Sequence, residues 1–317
     1  MPRATTEASG VEEAGAEAAP AKLNLHLAVL GRRADGFHEL DGLMVRLDLA
    51  DEVSFEPAPG PEDRLFFEDH IGAPLSVVPD EGFAGPDNLV LRALAAFRAL
   101  TGRPSGPRQA RLVKRIPLGA GLGGGSSDAA ATLRLLNRGR TLPPDELARL
   151  ALSLGADVPF FLQKAPRCRA RGLGERLAAH EGPLPGSEAV LINPGLSLST
   201  AMVFRQLGLT KPTGRNNLSA NVRRSVGRAE APGVVFGRLE TGFFGRNDLW
   251  PAAVELCPDL KAVRAAVSGV APAPQACGLS GSGPTFWALY ADREQARVAA
   301  RRLARPRWWV KLASVTS

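Results

Sequence analysis

The chain has 317 residues, enough for two domains, and its 44% hydrophobic and 22% charged residues are ordinary for a globular protein. It has no apolar run near the roughly 18 residues that span a bilayer and no apolar core of a secretory signal, so we expect a cytoplasmic protein with no membrane partner. The net charge of +7 comes from 33 scattered Arg and 6 Lys with only 6% aromatic residues, which argues against nucleic-acid binding.

The first residues carry no signal of a fold. Residues 1–19 are rich in Ala, Glu, Gly and Thr without hydrophobic periodicity, which predicts a disordered tail. The three cysteines have neither an even count nor the close spacing of metal ligands, so we expect inert thiols.

The first predicted strand has one polar face. Residues 22–29 alternate strictly between polar and apolar side chains, with Lys22, Asn24 and His26 on the polar side. That face either reaches into a cleft or is simply solvated, and the alternation by itself favours solvation. A turn-rich loop over residues 32–39 then leads to a second strand at 43–49.

A glycine-rich loop follows a predicted helix, which starts at Pro86-Asp87 and ends at Gly102, and a basic strand at 109–116. Residues 117–128 read Pro-Leu-Gly-Ala-Gly-Leu-Gly-Gly-Gly-Ser-Ser-Asp and open another helix. Glycine lets the backbone approach a ligand closely, and the unpaired N–H groups of a helix start attract anions, so we predict a site for nucleotide phosphates. Ser126 or Ser127 is expected to cap the helix and can ligate magnesium. A turn that only lets helix and sheet pack closely is the alternative.

Two other nucleotide-binding motifs can be compared with this loop. A Walker loop needs Gly-Lys, which the sequence does not contain. Gly119, Gly121 and Gly124 match the dinucleotide pattern G-x-G-x-x-G, but the preceding strand is charged and no acid follows about 20 residues on. A dinucleotide-dependent oxidoreductase is therefore the weaker interpretation.

The remaining elements interleave helices and strands. A helix after Pro143-Pro144 stops at Gly155, and the next residues place Asp157 in a short segment where we expect it to be held rigidly. Strands are predicted at 189–193, 286–290 and 308–314, and helices near 258–267 and 292–303. The small-residue loop at 278–285 is equally consistent with a hairpin and with a ligand contact.

Six segments together resemble one enzyme superfamily. Residues 20–25, 117–127 and 278–283 are similar to the three motifs of the GHMP kinases. Residues 33–39, 154–159 and 193–195 narrow the resemblance to the family that acts on 4-(cytidine 5′-diphospho)-2-C-methyl-D-erythritol. The resemblance implies an α+β fold with an ATP-binding domain at 20–185, like ribosomal protein S5 domain 2, and a ferredoxin-like domain at 186–317 that contributes to substrate binding.

The resemblance also implies a reaction. ATP, with Mg²⁺, would phosphorylate the 2-hydroxyl of the methylerythritol moiety and give the 2-phosphate and ADP, a step of non-mevalonate isoprenoid precursor biosynthesis. Asp157 would act as the base, Lys22 as its partner, and Asn24 would help to hold the reacting groups. The expected partners are this cytidine-diphosphate-linked small molecule and ATP, and the protein would be a monomer or homodimer. Kinases of homoserine or mevalonate type are the alternatives within the fold.

Binding residues are implied in the same way. For ATP they are Asn88, Lys114, Pro117, Leu118, Gly119, Ala120, Gly121, Leu122, Gly123, Gly124, Gly125, Ser126 and Ser127. For the substrate they are Phe37 and Phe204 on the two faces of the cytosine, His38 as its hydrogen-bond partner, Gly281 and Ser282. Tyr is common in the family where Phe37 stands, so stacking is retained and one hydrogen bond is lost. Asp128 stands where Asn is frequent, and we expect its carboxylate to point away from the phosphates.

Overall fold

A computed structural model describes residues 15–72, 79–102, 108–208 and 243–317. Its first part is a six-stranded sheet of order β3-β4-β2-β5-β6, with β1 paired to β2. The strand β3 runs parallel to β4, and the other pairs are antiparallel. The elements are β1 (Ala16–Arg32), β2 (His38–Pro57), β3 (Arg64–Asp69), α1 (Leu89–Thr101), β4 (Arg108–Lys114), α2 (Gly124–Leu136), α3 (Pro144–Leu154), α4 (Val158–Leu162), β5 (Arg167–Gly172) and β6 (Arg176–Ala179).

The second part is a four-stranded antiparallel sheet of order β10-β7-β9-β8. Its elements are β7 (Glu188–Asn193), α5 (Thr200–Gln206), α6 (Trp250–Leu256), α7 (Asp259–Gly269), β8 (Ala276–Leu279), β9 (Phe286–Tyr290), α8 (Arg293–Leu303) and β10 (Trp309–Ser314). Helices follow the first and third strands of this sheet, which is the ferredoxin-like arrangement that the resemblance implied. The expected α+β class is confirmed.

The two sheets pack face to face between two layers of helices, and alternation along the strands builds the three interfaces. Ala189 and Leu191 of β7 enter the core between the sheets, while Val190 and Ile192 face the helices of the second part. In β2, Val45 likewise faces the second sheet, and the adjacent Met44 packs under the helices of the first part. Within the described part of the chain, no helix is both long and apolar enough to cross a membrane.

Two predictions about the amino-terminal part need correction. The tail predicted over residues 1–19 is wrong for 16–19, which form the start of β1 and pair with residues 51–54 of β2. Residues 1–14 lie outside the described residues. The polar face of the first strand is not solvated, because Lys22, Asn24 and His26 are all buried.

The predicted domain boundary lies in the connection between the sheets. The strands of the first sheet end at Ala179, and those of the second begin at Glu188. Because the two sheets share a core, the division into residues 20–185 and 186–317 stays a prediction.

Candidate active site

A cavity of about 420 Å³ opens between the two parts of the molecule. Its walls come from β1, β2, the glycine loop, the start of α4, the β5–β6 turn and α5. Most of the predicted site residues line it, namely Lys22, Asn24, Lys114, Pro117, Leu118, Gly119, Ala120, Gly121, Leu122, Gly123, Gly124, Gly125, Ser126, Asp157, Phe204, Gly281 and Ser282. The fold therefore collects residues that are as much as 260 positions apart in sequence, from Lys22 to Ser282.

Lys22 and Asp157 meet in this cavity. Lys22 Nζ donates to Asn24 Oδ1 at 2.5 Å and to the carbonyl oxygen of Gly121 at 3.0 Å, and it lies 3.6 Å from Asp157 Oδ2. An ammonium has three N–H donors, so one can still turn toward Asp157. The Lys22 side chain is 4% exposed and that of Asp157 is 35% exposed. The cation is thus anchored in the protein, and the carboxylate is open to an incoming group.

Local structure explains why Asp157 is free for chemistry. It occupies the N-cap position of α4, yet its carboxylate makes no capping hydrogen bond within the described residues. Pro159 stands in the first turn of that helix, where a missing N–H costs nothing. The helix start therefore does not require the Asp157 carboxylate as a cap, and this carboxylate lines the cavity.

The glycine loop is bound to the protein by its carbonyl groups. The carbonyl oxygens of residues 119–122 accept hydrogen bonds from Leu198 N, Thr285 N, Ser280 Oγ, Lys22 Nζ and Lys22 N, at 2.9 to 3.2 Å. In a trans peptide the C=O and N–H groups point in opposite directions. The N–H groups of residues 120–123 consequently face away from these partners, on a loop that lines the cavity. This geometry suits an anion.

The glycines of the loop are required mainly by protein contacts. Gly119, Gly121 and Gly123 have φ of +57°, +74° and +73°, a conformation that L side chains rarely adopt. A Cβ on Gly119 would lie 2.8 Å from Ser197 Cβ, and one on Gly121 would collide with the carbonyl oxygen of Ser280. Close approach to a ligand, the reason inferred from sequence, is therefore only part of the requirement.

The helix α2 starts earlier than predicted, which changes the roles of both serines. It begins at Gly124 with Gly123 as N-cap, so neither Ser126 nor Ser127 caps it. Ser126 lines the cavity. Ser127 is fully buried, and its Oγ has no hydrogen-bond partner among the described residues. Of the two hydroxyls, the one on Ser126 is placed to meet a ligand.

Lys114 lies in a buried cluster of charges beneath the loop. Its Nζ contacts Asp51 and, at 2.9 Å, Asp128 Oδ2. Asp128 is not on the cavity wall, and its carboxylate turns inward to this cation. Burial raises the pKa of Asp128 to about 7, opposed by the charge of Lys114 and assisted by that of Asp51. Burial alone would lower the pKa of Lys114, but the carboxylates of Asp128 and Asp51 raise it.

The predicted cytosine-binding residues are only partly together. Phe204 stacks on His38 with ring centroids 4.9 Å apart and an interplanar angle of 24°. Phe37 is 60% exposed and is not on the cavity wall, whereas Phe204 is. His38 Nε2 is buried, with no hydrogen-bond partner in the described ranges. Burial lowers the pKa of His38, and the nearby charge of Arg32 lowers it further, so the ring is neutral at pH 7.

Asn88 is engaged outside the cavity. As the N-cap of α1 it accepts from Val90 N at 2.9 Å, and its Nδ2 donates to the carbonyl oxygen of Phe83 at 2.9 Å. Its neighbour Leu89 lines the cavity instead. The structure thus gives the Asn88 side chain a helix-capping role and does not place it on the cavity wall.

Other residues of the site were missed by the sequence analysis. Asn247 Nδ2 donates to the carbonyl oxygens of Leu279 and Gly281, at 2.9 and 2.7 Å, and so holds the predicted substrate loop. Thr200 Oγ1 lies 2.9 Å from Ser282 Oγ. Neither residue belongs to a motif, so the sequence offered no signal for them.

Comparisons with known proteins identify relatives over almost the full length. The model of the GHMP kinases N terminal domain matches residues 88–164. A 4-diphosphocytidyl-2-C-methyl-D-erythritol kinase of Methylobacterium radiotolerans is 43% identical, with coverage of 93% of this chain and 97% of the relative. One of Paramagnetospirillum magneticum is 40% identical, with coverage of 94% and 98%.

Solved structures show the same similarity. A crystal structure of 4-(cytidine 5′-diphospho)-2C-methyl-D-erythritol kinase has a TM-score of 0.66 and 35% identity, and the match covers 95% of this chain and all of that one. Homoserine kinase from Cytophaga hutchinsonii has a TM-score of 0.64 at 19% identity, with coverage of 98% and 97%. The second match concerns the fold alone.

Proposed function

The chain belongs to the 4-diphosphocytidyl-2-C-methyl-D-erythritol kinases, a family of the GHMP kinases, and from this membership we propose how its cleft carries out the reaction. It is an ATP-dependent small-molecule kinase, which transfers the terminal phosphoryl group of ATP to the 2-hydroxyl of 4-(cytidine 5′-diphospho)-2-C-methyl-D-erythritol. This step belongs to non-mevalonate isoprenoid precursor biosynthesis. The observation that supports the proposed mechanism is the Lys22–Asp157 pair, 3.6 Å apart, in the cavity that the glycine loop also lines.

Asp157 is proposed as the base. As the acceptor oxygen attacks the terminal phosphorus, its proton passes to the Asp157 carboxylate, and the bond to the bridging oxygen of ADP breaks. Lys22 stabilises the negative charge that spreads over the transferred group, because its ammonium is fixed by Asn24 and Gly121 before the reaction starts. General base catalysis of this kind contributes roughly 10²- to 10⁴-fold.

The glycine loop and the start of α2 are proposed to hold the triphosphate. Main-chain N–H groups and the positive end of the helix favour phosphate oxygens there. Magnesium, when bound with ATP, neutralises part of the phosphate charge. The described residues contain no cluster of three or more His, Cys, Asp or Glu that would bind a metal by themselves. Ser126 is then the residue that would offer an oxygen ligand, with the other ligands coming from phosphate and water.

The cytidine end is proposed to lie at Phe204 and His38. Phe204 lines the cavity, and the base would stack on its ring. His38, which lies against Phe204 and whose Nε2 has no partner among the described residues, would turn its edge to pair with the base. Phe37, on the exposed turn beside them, would cover the other face of the base after a movement of that turn.

ADP release measured with a coupled assay tests the proposal. The purified protein should release ADP with ATP, Mg²⁺ and the cytidyl substrate, and should not do so with homoserine or mevalonate. Turnover with either of those two alcohols at a comparable kcat/KM would contradict the substrate assignment. Oxidation of NAD(P)H by the protein itself, in the absence of coupling enzymes and without ATP turnover, would contradict the enzyme class.

A further inference from the structure

The turn between β5 and β6, residues 172–175, lies against the residue proposed as the base. Leu173 and Gly174 line the cavity together with Asp157. A Cβ placed on Gly174 would lie 3.7 Å from the carbonyl oxygen of Ala156 and 3.9 Å from Asp157 Oδ1. The turn is therefore in van der Waals range of the segment that carries the base, and it borders the space around the Asp157 carboxylate.

Glu175 fixes the shape of this turn. The N–H of Leu173 donates to Glu175 Oε2 at 2.6 Å. A Cβ on Gly172 would come within 2.5 Å of both oxygens of that carboxylate, so the side chain folds back over Gly172. Gly172 and Gly174 have φ of +78° and +120°, which L side chains rarely adopt. The conformation thus depends on two glycines, on the hydrogen bond from Gly174 N–H to the carbonyl oxygen of Arg171 at 3.2 Å, and on the charge-assisted hydrogen bond to Glu175.

Strand pairing fixes where the turn stands. In the register of β5 and β2, Gly172 lies opposite Leu40, and Ala170 lies opposite Gly42. Leu40, Gly42 and Ala170 line the same cavity. The turn therefore extends the side of the cavity that β2 and β5 form, and it lies at the end of that side next to Asp157. The glycine loop is fastened elsewhere, to Lys22 and to loops of the second sheet.

We propose that Glu175 is a positioning residue for the acceptor hydroxyl. By holding the turn, it keeps the side-chain-free surface of Gly174 beside Asp157, where the carbon that bears the reacting hydroxyl has to fit. The inference rests on the proposed function and adds a residue to it. Since the hydrogen bonds that hold the glycine loop come from Lys22, Leu198, Ser280 and Thr285, we expect Glu175 to affect the acceptor and to leave ATP binding unchanged.

Three variants test this positioning role. Glu175→Ala should lower kcat/KM for the cytidyl substrate about tenfold to a hundredfold, because a misplacement of about 1 Å has effects of this size. The KM for ATP should stay within about twofold, since the glycine loop is untouched. Glu175→Gln should restore most of the activity, because its amide oxygen can accept from Leu173 N–H. Glu181→Ala, a change of the same type at a nearby exposed glutamate, serves as the control and should behave as wild type.

Three outcomes would overturn the inference. They are wild-type kinetics in Glu175→Ala, equal loss in Glu175→Gln and Glu175→Ala, or a KM for ATP that rises in parallel with that for the acceptor. Should the alanine variant fail to fold, Glu175→Asp replaces it, because its carboxylate is one methylene too short to reach the same N–H. Wild-type protein in the same assay tests the proposed function separately, since its turnover does not depend on any variant.

Discussion

The side chains of Lys22 and Asp157 share a cavity but differ in their surroundings. Lys22 is buried and donates hydrogen bonds to Asn24 and Gly121, so its ammonium is held in place. Asp157 is one-third exposed and has no capping bond within the described residues, so its carboxylate can receive a proton. The role of partner is thus supported by the burial and hydrogen bonds of Lys22, and the role of base by the exposure of the Asp157 carboxylate.

Asp157→Asn should lower kcat about 10²- to 10⁴-fold, because an amide cannot accept the hydroxyl proton as a carboxylate does. ATP affinity, measured by calorimetry with an unhydrolysable analogue, should change little, because the glycine loop is not touched. Asp145→Asn, at an exposed acid in the first turn of α3, is the matched control. A kcat close to that of wild type in Asp157→Asn would remove this carboxylate from the mechanism.

Asp128 gives a prediction about the pH dependence of stability. Its folded-state pKa of about 7 lies above the usual value of 3.8. Between these two values the folded protein binds a proton that the unfolded chain has lost, so the Asp128 contribution to the free energy of unfolding falls as pH rises from about 4 to about 7. Asp128→Asn removes this contribution. The Tm of the wild type minus the Tm of the variant should therefore decrease from pH 5 to pH 8. Parallel Tm profiles of the two proteins would contradict the assignment.

At the scale of elements, the glycine loop is shaped by its neighbours as much as by its own sequence. Its carbonyl groups are held by β1, by the segment before α5 and by the loop between β8 and β9. Glycine adopts these three positive φ angles without strain, and hydrogen bonds from outside the loop hold the loop in that conformation. The arrangement that we propose for anion binding is thus built into the surrounding fold.

Gly121→Ala should disrupt this arrangement. The left-handed conformation costs a residue with a side chain about 1–2 kcal/mol, and the new methyl group would also strike the carbonyl oxygen of Ser280. We expect a lower Tm and the loss of calorimetrically measured ATP binding. Gly139→Ala is the control, since a Cβ there has no atom within 4 Å among the described residues. Unchanged ATP affinity in Gly121→Ala would show that the loop does not hold the triphosphate.

How much of these elements the sequence predicts depends on the range of the interactions that form them. Alternation over 22–29 correctly indicated a strand, because alternation is local. Burial of the polar face of β1 was not predictable, since Lys22 contacts Gly121 and His26 contacts Phe243, which lie 99 and 217 residues away. The orientation of Asp128 depends in the same way on Lys114 and Asp51. The strand β5, Arg-Cys-Arg-Ala-Arg-Gly, was missed because its inward side chains are small and its outward ones are arginines.

At the scale of the whole molecule, the two sheets are joined by a shared core and by a few polar links across it. Trp287 of β9 is fully buried in that core, and its Nε1 donates to the carbonyl oxygen of Asn24 at 3.1 Å. This bond ties the second sheet to the strand that carries Lys22. Packing of the core and placement of the site therefore depend on each other.

Trp287→Phe should lower the free energy of unfolding by about 2–4 kcal/mol, from a smaller ring and an unpaired carbonyl group. Tyr290→Phe is the matched control on the same strand, because none of the described residues is within hydrogen-bond distance of the Tyr290 hydroxyl. Loss of the Tyr290 hydroxyl should leave the free energy of unfolding unchanged or raise it slightly. Denaturant unfolding of both variants provides the comparison, and equal destabilisation by the two changes would contradict the role of the Trp287 hydrogen bond.

Residues of the carboxy-terminal part hydrogen-bond the glycine loop, and this limits how the halves of this enzyme can be exchanged with those of another kinase. Leu198, Ser280 and Thr285 come from the carboxy-terminal part, yet they orient the peptides that we propose to bind the nucleotide. A chimaera that took its ATP-binding half from this chain and its acceptor half from a distant superfamily member would inherit the glycines without their anchors. A chimaera made to exchange substrate specificity between such kinases should therefore contain the glycine loop and these anchoring segments from the same parent.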